Sequence, residues 1–515
     1  MRYTRGNGFS RAVWAALLIL AGVLVVAAAD SLRWPYIHDS PLMLYAGWHM
    51  GEGGVPYRDL FDMNVPGTYF AMWALGTSFG WGPLGFRIFD LLCLSVLAAG
   101  TFGWLRKCGR APAVAASLLF PLWYLTAGPS TSMQREFLAL VPFAVALSVG
   151  ESSLPSSVRF FGTGVLAGAA ALIKPQFLLL ALPPLIRQIL MASSAERVRL
   201  AAVMSAGIGL PIVAAGAFLA YRGGLNAFTD IAIGYWPLYS QLTGSHQAIS
   251  GEDRVWYLVE STLAGLMNPY IPLALVGLGA VIAERHRRSM AWMLAAMIGA
   301  AALYPAFSGQ FWTYHWLPFQ YMLLTSGSLA LMSSSAPGWK AGGIVRAAGA
   351  SITLIAVGSG AVAALIASSS GDPTSDVVRS RARALGVPRE LAEFLRTHLQ
   401  PGDLVQPLDW TGGAVHGMLE ARAPLATRFM YDFHFYHHVD TPYIVRLRRQ
   451  FVRQLAAARP RFVIRVFDGR PWPGGPGTSR EFPALEAFLD AEYRVVRSGA
   501  TYNILERVTS PPSGR

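Results

Sequence analysis

Residues 158–191 read VRFFGTGVLAGAAALIKPQFLLLALPPLIRQILM, and the number of helices in that stretch decides the topology of the whole chain. One kinked helix or two short ones would fit its hydropathy. Basic residues flank both ends, Arg159 on one side and Arg187, Arg197 and Arg199 on the other. Lys and Arg collect on the cytoplasmic side of a membrane, so both ends belong there. A single helix would also strand Lys174 near the bilayer centre, at a cost of several kcal/mol. The sequence therefore predicts two helices turning at Lys174-Pro175.

Nine further apolar runs surround this hairpin, and a spanning helix needs about 20 such residues. They are Ala12–Ala29, Leu84–Leu105, Ala111–Ala127, Phe137–Gly150, Leu200–Tyr221, Pro269–Ala283, Met290–Phe307, Leu317–Met332 and Ile344–Ser368. With Val158–Ile173 and Gln176–Met191 they make about eleven transmembrane helices. The first run follows basic residues, as a secretory signal does, but no convincing small-residue cleavage site precedes Asp30 and further spans follow; it is read as a retained helix. With the N-terminus cytoplasmic, the inner loops are Arg106–Arg110, Glu151–Arg159, Ala192–Arg199, Glu284–Arg288 and Ser333–Arg346. The short outer loops 128–135 and 308–316 hold one Arg between them. An odd helix count places residues 371–515 outside.

Composition agrees with this division. Of 515 residues 53% are hydrophobic and only 14% charged, where a soluble domain carries roughly 25%; the mean hydropathy is +0.39. About half of the charged residues fall in 371–515, as 20 Arg and 15 acidic side chains. Disorder, coiled coil and a secreted disulfide scaffold are excluded. Cys93 lies in an apolar run and Cys108 in a basic loop, so no bridge is implied. The net charge of +13 sits in short clusters between apolar runs, which suits membrane topology and not nucleic acid.

The tail alternates helix and strand periods: helix-like Arg389–His398, Tyr443–Ala458 and Arg480–Asp490, strand-like Leu404–Pro407, Arg461–Phe467, Arg494–Arg497 and Asn503–Glu506. That order favours a small α/β domain with a partly parallel sheet. The expected organisation is an α-helical polytopic membrane domain, residues 1–370 with a first outer loop at 30–83, followed by an extracytoplasmic α/β domain, residues 371–515. Two outer segments, Asp30–Pro83 and Arg222–Asn268, are longer than connectors need to be, and loops of that length usually carry function.

The first of them contains His38-Asp39-Ser40-Pro41, Tyr45-Ala46, Gly54-Val55-Pro56-Tyr57-Arg58-Asp59, then Asp62 and Pro66-Gly67. Further along come Gln134-Arg135-Glu136, Gly164 and Gly168 ahead of Lys174-Pro175, and Tyr314-His315-Trp316-Leu317-Pro318. In order and spacing these motifs resemble the GT-C membrane glycosyltransferases, the superfamily of the protein O-mannosyltransferases and the lipid A aminoarabinose transferases (glycosyltransferase family 39/83 type). The resemblance covers residues 12 to about 330, and the tail is similar to the extracytoplasmic domain of many bacterial members. The family usually has two adjacent acidic residues in its first loop; here Ser40 follows Asp39, which leaves one carboxylate and weakens the case for a metal there.

The resemblance implies a bacterial inner-membrane enzyme that moves a sugar from a polyprenyl-phosphate donor, within membrane lipid, to a glycan, glycolipid or protein acceptor, with inversion. It implies no cofactor, though it does not exclude a divalent metal. Such a transfer needs a carboxylate to take the acceptor proton and cations to hold the departing phosphate. Asp39 is the expected base and Glu136 a second catalytic carboxylate. Arg58, Arg135, Lys174 and His315 are expected phosphate partners, with Asp59 and Asp62 as further substrate-binding residues.

Each residue has a structural alternative. Asp39 would cap a helix at Pro41–Met50; Glu136 would pair with Arg135 at a helix start. Lys174 would snorkel to the interface, and Asp59 and Asp62 would shape the loop through local hydrogen bonds. The tail sequence Asp432 to Asp440, with His434, His437 and His438, has zinc-ligand residue types but lacks two distant ligands at a recognised spacing; a packed aromatic loop is the alternative. The rival functions are a transporter or lipid flippase, disfavoured because the polar residues fall in outer loops and not at the midplane, and a polysaccharide-binding protein without catalysis.

Overall fold

Every one of the apolar runs is helical in the computed structural model, which describes residues 4–37, 39–332 and 342–508. His38 of the first-loop motif and most of the expected loop 333–346 lie outside the described residues. The stretch at 158–191 is two helices, Ser156–Ile173 and Phe177–Met191. Lys174 leaves the helical region (φ −147°, ψ 106°), as a residue preceding proline is pushed to do, and the chain restarts two residues after Pro175. Among the described residues, five helices are long and apolar enough to cross a membrane: Arg11–Ser31, Pro83–Cys108, Ser156–Ile173, Arg197–Tyr221 and Arg285–Ser308. Phe177–Met191, Ile271–Ala283 and Leu354–Ser370 are apolar but shorter.

The chain divides into two compact units that interleave along the sequence. The first comprises 1–34, 86–215 and 258–379 and is built of helices. One of its close crossings joins Ser156–Ile173 to Arg197–Tyr221. A Cβ on Gly164 would lie 2.3 Å from the Met204 carbonyl oxygen, and one on Gly168 the same distance from that of Ile208. Only glycine allows this approach, the small-x-x-x-small contact that packs helices where no hydrophobic driving force separates them from lipid.

The second unit comprises 35–85, 216–257 and 380–515, so the C-terminal region folds together with most of both long outer segments. Its sheet runs β1 (Val405–Leu408), β2 (Phe462–Val466), β3 (Tyr493–Ser498) and β4 (Tyr502–Arg507), in the spatial order β1-β2-β4-β3. β1 and β2 are parallel; the other pairs are antiparallel. The crossover from β1 to β2 passes through the helices Ala414–Ala421 and Pro442–Ala458. The latter buries Ile444, Leu447, Phe451 and Leu455, one apolar stripe at helical spacing. Thr441 starts it by accepting the Ile444 N–H, and Arg459, in the left-handed region at φ 47°, ends it.

The first outer segment contributes two helices, Ser40–Gly51 and Pro66–Phe79. They are tied to the C-terminal part of the same unit by the Tyr45 hydroxyl donating to the Ala423 carbonyl at 2.7 Å and the Phe61 N–H donating to that of Arg428 at 2.6 Å.

Candidate functional site

Glu136 is the second residue of the helix Arg135–Gly150 and is fully buried. A buried carboxylate demands compensation, two elements of the first unit supply it, and a third lies beside it. Lys174, at the break of the hairpin, places Nζ 2.9 Å from Glu136 Oε1. Tyr304, from the helix Arg288–Ser308, donates its hydroxyl to the same oxygen at 3.1 Å. His315, in the turn Thr313–Trp316, brings Nε2 to 3.7 Å. Glu136 Oε2 is buried and has no hydrogen-bond partner among the described residues.

The His315 ring is oriented by its other nitrogen, Nδ1, which is hydrogen-bonded to the Gln310 carbonyl. A carbonyl only accepts, so Nδ1 carries the hydrogen and the neutral ring turns the lone pair of Nε2 toward Glu136. Burial pushes this imidazole down to about 4, against the opposing pull of Glu136. Arg135, the residue before Glu136, lies close enough for its charge to act on that carboxylate. It donates to the Tyr314 hydroxyl at 3.3 Å with its guanidinium 5.7 Å from that ring.

Four of the expected residues, Arg135, Glu136, Lys174 and His315, thus meet in the first unit. The other four lie in the second. Asp39 precedes the helix Ser40–Gly51 without spending its side chain on a cap, and its charge acts on His246, whose imidazole burial pushes down to about 4. Arg58 and Asp59 form an ion pair at 2.7 Å with half of the Arg58 side chain exposed, and Asp59 also accepts the Val55 N–H. Asp62 is buried; it accepts from the Asn64 backbone at 3.1 Å and from the Tyr431 hydroxyl at 3.3 Å.

The tail histidines form a chain of hydrogen bonds. Tyr235 Oη meets His437 Nε2 at 3.0 Å, His437 Nδ1 meets His438 Nδ1 at 2.8 Å, and His438 Nε2 meets Gln241 Oε1 at 3.1 Å. Burial pushes His437 down to about 3. Among the described residues no cluster of three or more His, Cys, Asp or Glu side chains is arranged to hold a metal ion.

One network was not anticipated. Within the apolar run Leu84–Leu105, Arg87 and Asp90 are buried and paired at 3.1 Å. Asp90 accepts from the Tyr124 hydroxyl at 2.7 Å and from the Ser132 hydroxyl at 2.5 Å, and Tyr124 in turn accepts the Met133 N–H at 2.8 Å. Met133 has φ 56°, a left-handed conformation that non-glycine residues adopt at a cost. The network holds that turn three residues ahead of Glu136. Its signal in the sequence was an Arg-x-x-Asp spacing inside a hydrophobic segment, where ionisable residues are rare and pair with one another.

No protein-family profile matches the sequence, and no curated protein matches it. Twelve chains of solved structures match. One is ArnT from Cupriavidus metallidurans bound to undecaprenyl phosphate; it superposes with a TM-score of 0.58 over 96% of this chain and 98% of its own. The fold is that of ArnT. Sequence identity to ArnT is 14%, so the likeness is one of fold. It bears out the fold that the resemblance implies, a helical body with a small C-terminal sheet.

Proposed function

We propose that the protein is a GT-C glycosyltransferase of the bacterial inner membrane, which transfers one sugar from a polyprenyl-phosphate donor to an extracytoplasmic glycan, glycolipid or protein. The observation that carries this reading is the ArnT fold along nearly the whole chain, in a relative whose structure holds undecaprenyl phosphate. The buried cluster around Glu136 adds to it, because an apolar helical body keeps charged groups where they do work. The reading retains the eleven-helix topology, with the N-terminus cytoplasmic and the C-terminal region outside.

In this scheme the acceptor hydroxyl oxygen attacks the sugar C1 as the C1–O bond to the phosphate breaks. Asp39 takes the hydroxyl proton, and polyprenyl phosphate leaves with the bonding pair. One displacement inverts the anomeric centre. Lys174 and Arg135 supply positive charge to the phosphate, and Glu136, Tyr304 and His315 fix the position of the Lys174 ammonium. Arg58, Asp59 and Asp62 shape the first outer segment around the substrates.

The test is mass spectrometry of surface glycans and lipid-linked sugars in cells lacking the protein. A single missing sugar residue together with accumulated polyprenyl-phosphate sugar is expected. Loss of the whole surface glycan, with the complete lipid-linked glycan trapped on the cytoplasmic face, would point to a flippase and overturn the reading.

A further inference from the structure

The second unit contains a cavity of about 480 Å3, within the size range of small-ligand sites. It opens where the chain leaves the carboxyl ends of the parallel pair β1 and β2, through Trp410 to Gly413 after β1 and through Asp468 and Gly469 after β2. Crevices of this kind are where α/β sheets take ligands. The remaining wall includes Tyr36, Ile37, Pro41 and Leu42, the residues on either side of Asp39.

Its chemistry is selective. The Asp409 carboxylate accepts the N–H groups of Gly412 at 3.0 Å and Ala414 at 2.9 Å, so a fixed negative charge already occupies the helix start where an anion would otherwise bind. Asp468 adds a second carboxylate to the wall. A phosphorylated or acidic ligand is disfavoured. Thr411 and Arg383 offer donors, Asp468 and Thr501 offer acceptors, and the largely buried Trp410 and Tyr36 rings line the apolar part of the wall. Donors and acceptors beside aromatic rings suit a molecule whose hydroxyls do both and whose ring has apolar faces.

The walls are held rigid. Arg470 is buried, pairs with Asp432 at 2.5 Å and donates to the Leu408 carbonyl at 2.9 Å, which fixes the end of β1. Trp410 packs with its centroid 4.1 Å from Phe433 and 4.9 Å from His246. Glycines bring backbone up to the rim: Gly413 at φ 119° and Gly469 at φ 72° adopt conformations that side chains resist.

We infer that this cavity binds an uncharged saccharide and is the seat of the acceptor glycan, beside the segment that carries Asp39. Its role as an acceptor site rests on the glycosyltransferase reading; saccharide binding itself does not.

The experiment uses full-length, detergent-solubilised protein and neutral oligosaccharides released from the envelope of cells lacking it. Saturation-transfer NMR reads binding between the two. Two variants address the cavity: Thr411→Trp fills it, and Asp468→Ala removes an acceptor from its exposed edge. Melting temperatures confirm that both are folded. Wild type is expected to bind saccharide, with affinity reduced at least tenfold in both variants, while affinity for the polyprenyl-phosphate donor stays within twofold. Binding that persists undiminished in both variants, or no binding to wild type, overturns the site. Saccharide binding that is abolished in the variants, from a wild type that transfers no sugar, would leave the site standing and defeat the glycosyltransferase reading instead.

Discussion

Lys174 Nζ sits 2.9 Å from Glu136 Oε1, with Glu136 fully buried and the Lys174 side chain 15% exposed. The two residues come from different helices, and each neutralises a charge that the other's surroundings would not tolerate. Removing one partner of such a pair costs about 3–5 kcal/mol, because the survivor is left uncompensated, whereas replacing both is often close to neutral. Glu136→Gln and Lys174→Met are each expected to lower the melting temperature clearly, and the double variant to recover most of the loss. Additive losses in this double-mutant cycle would show that the pair is not coupled.

The same lysine is proposed to serve the donor phosphate. Lys174→Ala should weaken binding of polyprenyl-phosphate sugar; Lys174→Arg should retain part of it, since the charge survives and its geometry changes. Donor affinity in Lys174→Ala equal to that of wild type would leave the residue a purely structural partner of Glu136.

Tyr124 links Asp90 to the Met133 N–H, ahead of the helix that presents Glu136. Tyr124→Phe keeps the ring and removes both bonds, leaving a buried carboxylate oxygen and a buried N–H short of a partner. Each such loss costs about 1–3 kcal/mol. Destabilisation of this order by thermal unfolding is expected; a change near zero would mean that water or a local shift replaces the hydroxyl.

How much of this was legible in the sequence varies with the range of the interaction. The break at Lys174-Pro175 was readable because its cause is local: a proline, and a lysine that cannot lie at mid-membrane. The strands of the tail were readable by their period. The helix Ala414–Ala421 was not, since it is only about two turns long. The partners of Glu136 were legible only as separate motifs. Sequence adjacency pointed to Arg135, but the approach of Lys174, Tyr304 and His315 depends on packing between distant segments. Arg87 and Asp90 were hidden because the surrounding run is apolar enough to span regardless of them. The interleaving of 35–85 and 216–257 with the C-terminal region is also a matter of tertiary packing, which no local pattern records.

Topology is checked by labelling. If residues 371–515 lie outside, a cysteine introduced by Ser479→Cys should react with an impermeant thiol reagent in intact spheroplasts. Reaction only after the membrane is opened would reverse the proposed orientation.

His437 titrates in a direction that fixes a pH dependence. Burial lowers its folded-state pKa from 6.5 to about 3, so below pH 6.5 the unfolded chain binds a proton that the folded chain does not. Stability from this group is full above pH 6.5 and is lost as the pH falls toward 3, at about 1.4 kcal/mol per pH unit. Melting temperature should fall over that window in wild type. The fall should be shallower in His437→Gln, which cannot titrate; parallel curves would assign the acid sensitivity to other groups.

The enzyme reading rests finally on Asp39. Its carboxylate is not consumed by the helix that follows, and the family resemblance places the base at this position. A positioned base contributes typically a hundred- to ten-thousand-fold to the rate. Asp39→Asn preserves size and much of the hydrogen bonding while removing the charge, so it should insert and fold normally, bind donor as wild type does, and lose nearly all transfer. Glu136→Gln should reduce transfer less, through displacement of Lys174, because it is not the group that takes the proton. The measurement is sugar transfer by purified protein, with melting temperature read in parallel to separate misfolding from lost chemistry. A transporter or a binding protein would keep its activity in Asp39→Asn. Near wild-type turnover in that variant would move the base to Asp59, Asp62 or Glu136, and activity in all four amide variants would end the carboxylate-base mechanism for this protein.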